Sequence, residues 1–237
     1  MSRSRSGPWT KPALDVFDGV QARVMKTAAF SGDRRIGVAF VPDGDFAGHL
    51  LFRELLRSTD GTLRTTFPAE MTPHGTPLPT PEISAQTGEV DAGRGGATLH
   101  PGTTGASVRI VVPKNFILTA TLKPGEHIGR FGFRFGDGSG ANVSTLAIEP
   151  ARGRMAWTSA APSISGPAPS IEGVADLEAP MQIQIVVDGT IVDLNANGRH
   201  TLVYRLPEKQ GRAISLYTEG GDLTLKDLTI QSLGERP

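Results

Sequence analysis

The 237-residue chain balances 24 Lys and Arg against 24 Asp and Glu, so there is no electrostatic case for nucleic acid or an anionic membrane as a partner. It contains no cysteine, which excludes disulfides and cysteine-ligated metals. With 38% hydrophobic residues, 6% aromatic residues, 29 glycines and 18 prolines, it has the composition of a turn-rich all-β protein, as one large domain or two small ones.

Residues 1–17 read as a loose, polar N-terminus. They lack an apolar h-region, so no signal peptide is visible. No apolar run approaches the roughly 18–20 residues of a membrane span, and the chain is expected to be soluble. Val20 to Phe30 alternates as a strand, Ser31-Gly32-Asp33 turns, and Arg35–Val41 is an apolar strand candidate. Gly48–Arg57 is ambiguous by pattern alone, because Leu51, Leu55 and Leu56 also fit helical spacing. Residues 71–81 form a Pro-rich connector. Beyond it, strands are expected at Val108–Val112, Phe116–Leu122, Ile128–Phe135, Val143–Glu149 and Met155–Trp157, at sandwich spacing. Phe131, Phe133 and Phe135 share one face at period two and read as core.

Met181 to Asn197 reads as a hairpin. Ile183, Ile185 and Val187 alternate with Gln182, Gln184 and Val186, and Asp188-Gly189 marks the turn. Further strands at His200–Leu206, Ala213–Thr218 and Leu223–Ser232 extend this to an antiparallel meander.

Asp188-Gly189-Thr190-Ile191-Val192-Asp193-Leu194, followed by Asn197-Gly198, Thr201 to Pro207, Ile214-Ser215-Leu216-Tyr217 and Gly220-Gly221, resembles the C-terminal β-sandwich of glycoside hydrolase family 32, the invertases, inulinases and levanases. Asp193 stands where that family usually has Glu. Residues 18–70 resemble its last propeller blade. The matching stretches are Ala22-Arg23-Val24-Met25-Lys26-Thr27, Arg34-Arg35-Ile36-Gly37, Phe52-Arg53-Glu54-Leu55 and Asp60-Gly61-Thr62-Leu63. Phe52 replaces a usual proline and Phe40 a usual tryptophan. The resemblance makes residues 48–57 a strand. It implies an all-β chain in which a jelly-roll-like, concanavalin A-like antiparallel sandwich over residues 82–233 follows a partial propeller blade over 18–70.

The family's catalytic carboxylates lie in Asn-Asp-Pro, Arg-Asp-Pro and Glu-Cys motifs, and none of these occurs here. No catalytic residue carries over. One blade cannot close a propeller, so a catalytic propeller is expected in another domain or chain. Metal and cofactor sites are not expected: the five histidines lack ligand spacing. Asp43-Gly44-Asp45 with Glu54 imitates a calcium loop but follows a strand, and reads as a turn. Gly136-Asp137-Gly138-Ser139-Gly140 reads as a hairpin turn. Asp188 reads as a turn former, and Asp193 as structural or solvent-facing.

Sugar recognition needs rings and planar polar groups. Trp157, Tyr217, Arg134 and Glu149 are the candidates for a fructan or related glycan. Each also has a structural explanation, with Trp157 in the core and Arg134 paired to Glu149 across strands. Three functions follow as expectations. The chain is the C-terminal part of a fructan- or sucrose-directed hydrolase, a stand-alone carbohydrate-binding module, or a non-catalytic assembly domain.

Overall fold

A computed structural model describes residues 6–8, 10–44, 46–71, 75–136, 143–159, 166–207 and 211–234, apart from the side chains of 46, 47 and 71. Four strands come first: β1 (Arg23–Phe30), β2 (Arg34–Asp43), β3 (Phe46–Arg57) and β4 (Leu63–Thr66). They pair in chain order as an antiparallel sheet, as a propeller blade does. Residues 48–57 lie within strand β3, so tertiary pairing overrides their helical spacing. The calcium-loop look-alike spans the β2–β3 hairpin, with Asp43 paired to Phe46. The Gly136–Gly140 turn falls largely outside the described residues.

The sandwich follows. Its strands are β5 (Thr76–Pro77), β6 (Ile83–Thr87), β7 (Glu89–Gly93), β8 (Gly96–His100), β9 (Ala106–Val111), β10 (Phe116–Pro124), β11 (Arg130–Phe135), β12 (Ser144–Glu149), β13 (Arg154–Ser159), β14 (Ser170–Ile171), β15 (Met181–Asp188), β16 (Ile191–Ala196), β17 (His200–Arg205), β18 (Ala213–Glu219) and β19 (Leu223–Ser232). One sheet runs β17-β16-β15-β10-β19-β8-β7, with β5 on β19; the other runs β14-β13-β12-β11-β18-β9-β6. Every pairing is antiparallel.

The expected C-terminal meander holds only for β15–β17. β18 crosses to the second sheet and inserts between β11 and β9; β19 crosses back between β10 and β8. The reason lies in their sidedness. Ile214 and Leu216 on β18, and Leu223, Leu225, Leu228 and Ile230 on β19, are all buried, and a central slot covers such strands better than an edge does. The β15–β16 turn also differs in detail. Asp188 pairs with Ile191, so the central residues are Gly189 and Thr190. Only Gly189 has positive φ (62°), the II′ pattern with glycine first.

The core lies between the two sheets. Phe131 and Phe133 are fully buried, as are Leu118, Ile185, Leu194, Leu216 and Trp157 or nearly so. Leu14 is buried in the same cluster, so the N-terminal stretch is anchored where its polar sequence predicts looseness.

The four-stranded sheet sits on the outer face of β16 and β17. Ala39, Val41 and Leu51 pack on Ile191 and Val203. At the centre of this contact Arg53, wholly buried, bonds two carboxylates. Its Nε and Nη2 donate to Asp18 at 2.7 and 2.9 Å, and its Nη1 and Nη2 donate to Asp193 at 2.9 and 2.6 Å. The Thr201 hydroxyl donates to Asp18 at 2.7 Å. Arg205 donates to the carbonyls of Pro42 and Val41. Asp193 is therefore structural, and buried. Burial raises its pKa to about 6; Arg53 pulls it down and Asp18 adds to the rise. Burial works against the charge on Arg53, but the two carboxylates outweigh it and hold the guanidinium charged.

His200 on β17 is 5% exposed. Burial holds its pKa down to about 4, with Arg64 and Arg199 adding to the drop. Its folded pKa thus lies below its unfolded one. The stability it contributes is present above pH 6.5 and is lost as pH falls toward 4. Asp193, with its raised pKa, works in the opposite sense over a similar range. The clean readout is therefore a difference: His200→Gln should flatten the acid limb of the stability curve relative to wild type, by up to about 2–3 kcal/mol between pH 6.5 and 4. Denaturant midpoints across that range will show this; parallel curves for the two proteins would refute it.

Candidate functional site

Of the four sugar-binding candidates, Trp157 does not reach the surface. It lies on the inner face of β13, 2% exposed. Its ring stacks on Tyr204 at 4.8 Å and 18°, and meets Phe135 at 5.4 Å. Both faces of such a ring are committed to packing.

The other three lie on the outer face of the second sheet. Tyr217 on β18 pairs with Gly132 on one side and Ser107 on the other. Its ring lies flat enough over these small neighbours to be 2% exposed, under the Arg134 guanidinium at 4.1 Å. Gly132 itself is required by its backbone: at φ 151° a Cβ there would lie 2.0 Å from the Leu146 carbonyl oxygen of β12. Burial pushes the Tyr217 hydroxyl up to about 12, with Arg130 and Arg134 opposing.

The expected Arg134–Glu149 pair does not form. Arg134 faces Thr145 and Ser215 across strands, and its nearest acid is Glu219 at 3.8 Å. Glu149 pairs with Arg154 at 2.8 Å instead, because it sits two outward-facing rows further along β12, directly opposite Arg154. That row alternates in sign. Arg130 grips Glu219 through two bonds (2.6 and 3.1 Å), Arg154 bridges Glu149 and Glu172 at 2.8 and 2.7 Å, and Glu149 also favours the charge on Arg130. The face thus groups Arg134, Tyr217 and Glu219 in one cluster and Glu149 with Arg154 in another. Arg134 also lines a small pocket of about 230 Å³ with Gln86, Arg109 and Ser215. The side chains here can bond hydroxyls or anions, but Tyr217 offers no free ring face.

A second feature is the face of the four-stranded sheet turned away from the sandwich. Val38 and Phe52 are neighbours on β2 and β3, as are Phe40 and Leu50. Leu50 is 61% exposed, Phe52 38% and Phe30 on β1 49%. These side chains form an apolar, half-open patch beside the Arg34–Glu54 and Arg34–Glu70 ion pairs. Among the described residues no helix is long and apolar enough to cross a membrane. No cluster of three metal-ligating side chains occurs among them.

The sequence left two features unread. Arg53 carries no mark that distinguishes it from the other arginines, although its partner Asp193 falls at a position where the resembled family keeps an acid. The polar outer face of the first sheet was visible as alternation in Gln182 and Gln184, but strand order is needed to see what lies beside them.

No family model matches the chain, and no curated protein matches it. Solved structures do. A fructosyltransferase from A. japonicus aligns with a TM-score of 0.58 at 17% identity, over 85% of this chain and 40% of that one. The GH32 β-fructofuranosidase of Bombyx mori aligns at 0.57 and 13% identity, over 92% and 42%. The carbohydrate-binding module CBM66 from Bacillus subtilis aligns at 0.52 and 9% identity, over 65% of this chain and 97% of that module. The chain spans about two-fifths of the length of the enzymes it matches. The resemblance drawn from its motifs is thus matched in three dimensions: the chain has the fold of a blade-and-sandwich portion of family 32 glycoside hydrolases.

Proposed function

We propose that the chain is the non-catalytic C-terminal part of a fructan- or sucrose-directed glycoside hydrolase of the family 32 type. Its four-stranded sheet completes a catalytic propeller, and its sandwich buttresses that propeller and contacts carbohydrate. One observation carries this reading: the sheet is bolted to the sandwich on one face through Arg53, while Phe30, Leu50 and Phe52 stand uncovered on the other. The sandwich covers one face of the sheet, so the open face is where an adjoining blade fits.

The gene provides the test. In-frame Asn-Asp-Pro and Arg-Asp-Pro motifs upstream of Met1, or a separately encoded propeller that co-purifies, are the expected results; finding neither would end the proposal. At the protein level, Leu50→Asp with Phe52→Asp should shift the Tm of this chain by less than about 3 °C and abolish binding of an apolar dye. The same pair should destroy assembly with the propeller.

A second reading is a stand-alone carbohydrate-binding module. It is favoured by the match to CBM66, which takes in 97% of that module and 65% of this chain. On that reading the Arg134, Tyr217 and Glu149 face is the first place to look for a glycan.

A further inference from the structure

The outer face of the first sheet carries a trough that none of the candidates above touches. Thr119, Thr121, Gln182, Gln184, Asn195 and Asp227 line it, and it encloses about 450 Å³, within the range of about 300–1,000 Å³ typical of small-ligand sites. Strand register builds it. Asn195 lies opposite Gln184, Gln184 opposite Thr119, and Thr119 opposite Thr229. Four strands at about 4.8 Å spacing give a polar row about 14 Å long. A parallel row brings Gln182 beside Thr121 and Thr121 beside Lys226.

Two details suit this trough to a ligand. Asn195 is 7% exposed, and its Nδ2 donates to Thr66 of β4 at 3.1 Å, but its Oδ1 has no partner among the described residues. Turning the amide over would leave the nitrogen unpartnered instead. A buried amide group left this way is costly, and it leaves Asn195, in the lining of the trough, with hydrogen-bonding capacity to spare. At the far side, β19 is irregular between its pairs to Thr119 and Thr121. There Asp227 takes φ 54°, a conformation few non-glycine residues adopt, and its carboxylate accepts from Thr121 at 3.4 Å.

The chemistry of the lining selects the class of ligand. Amides and hydroxyls both donate and accept, which matches groups that do the same. Charge is confined to Lys226 and Asp227 at one end, so no anion is favoured. No aromatic side chain lines the trough, so a flat apolar ring is not favoured either. We infer that the trough formed by Asn195, Gln184, Thr119, Thr121 and Asp227 is a binding site for a neutral, polyhydroxylated ligand, an oligosaccharide held by its hydroxyls rather than by ring stacking. This rests on the carbohydrate-directed reading above. It places the sugar on the sheet opposite the Arg134 face, and makes β4 part of the site through Thr66.

Calorimetric titration of the full chain with inulin and levan oligosaccharides tests this, with each variant checked for an unchanged melting profile. Wild type should bind at least one. Gln184→Ala and Thr121→Val should each weaken binding at least fivefold, and together at least twentyfold. Loss of binding on Arg134→Ala with Gln184→Ala unaffected would overturn the trough while leaving the carbohydrate reading intact. No binding by wild type would overturn both, and leave the buttressing role to be judged on the open face of the blade.

Discussion

Replacing Arg53 with methionine is expected to destabilise the fold by about 3–5 kcal/mol, the cost of leaving a buried charge without its partner. Two carboxylates, Asp18 and Asp193, share one guanidinium, with side chains essentially without access to water. The cluster already carries one negative charge too many: burial is the main reason the Asp193 pKa is raised, and the second carboxylate, Asp18, adds to the rise. Without Arg53 both acids face each other in a dry site, and methionine supplies shape but no counter-charge. The same charge balance predicts an asymmetry. Asp193→Asn removes the surplus charge, keeps an acceptor for Arg53, and should cost no more than about 1–2 kcal/mol. Urea unfolding of the two variants will decide. If Arg53→Met falls within 1 kcal/mol of wild type, the contact is not the clamp described here.

Trp157→Ala is the second large effect, at about 3–5 kcal/mol. The indole fills the core between Phe135 and Tyr204, and its removal leaves a cavity that β-strands on both sides cannot close. The neighbouring Tyr204→Phe should behave in the opposite way. The Tyr204 hydroxyl is buried with no hydrogen-bond partner among the described residues, so it carries a desolvation cost that phenylalanine lacks. That variant should match wild type or gain up to about 1 kcal/mol. Melting curves of both variants are enough to check this. A Trp157→Ala protein that keeps its stability but loses affinity for sugar would return Trp157 to the surface role its residue type first suggests.

Much of the fold was legible because strands of a half-buried sheet must alternate. Phe131, Phe133 and Phe135 declared an inner face, and Ile183, Ile185 and Val187 another, and both are buried as their spacing predicts. Gly48–Arg57 could not be settled that way; its three leucines fit a helix as well as a strand, and only the resemblance to a blade decided it. β6 and β7 were missed because Ser84–Thr87 and Asp91–Gly93 are polar and exposed, so they lack the apolar alternation by which strands are read. The candidate site was legible in residue type but not in position. Arg134, Glu149 and Tyr217 do share the outer face, yet Glu149 lies two rows from Arg134 and pairs with Arg154 opposite it. Trp157 was ambiguous in principle, since an aromatic suits a core and a sugar platform equally, and only the inner-face parity of β13 separates the two. The polar trough needed β10, β15, β16 and β19 to be adjacent, and the crossing of β19 between sheets is not a local property of any segment.

That crossing also bears on how the molecule is made. β18 and β19, residues 213–232, fill the middle of both sheets. A growing chain that has emerged through β17 still has β11 without its β9-side neighbour and β10 without its β8-side neighbour. Each half-sheet then presents an open interior edge, the kind that templates pairing with another chain. Folding of the sandwich must therefore wait for its last strands and finish after synthesis reaches them. The long interval between β8 and β19 makes the closing contacts slow ones. Residues 213–232 act as a keystone set last in the sandwich, and until it is in place the sandwich is exposed to misassembly rather than merely incomplete.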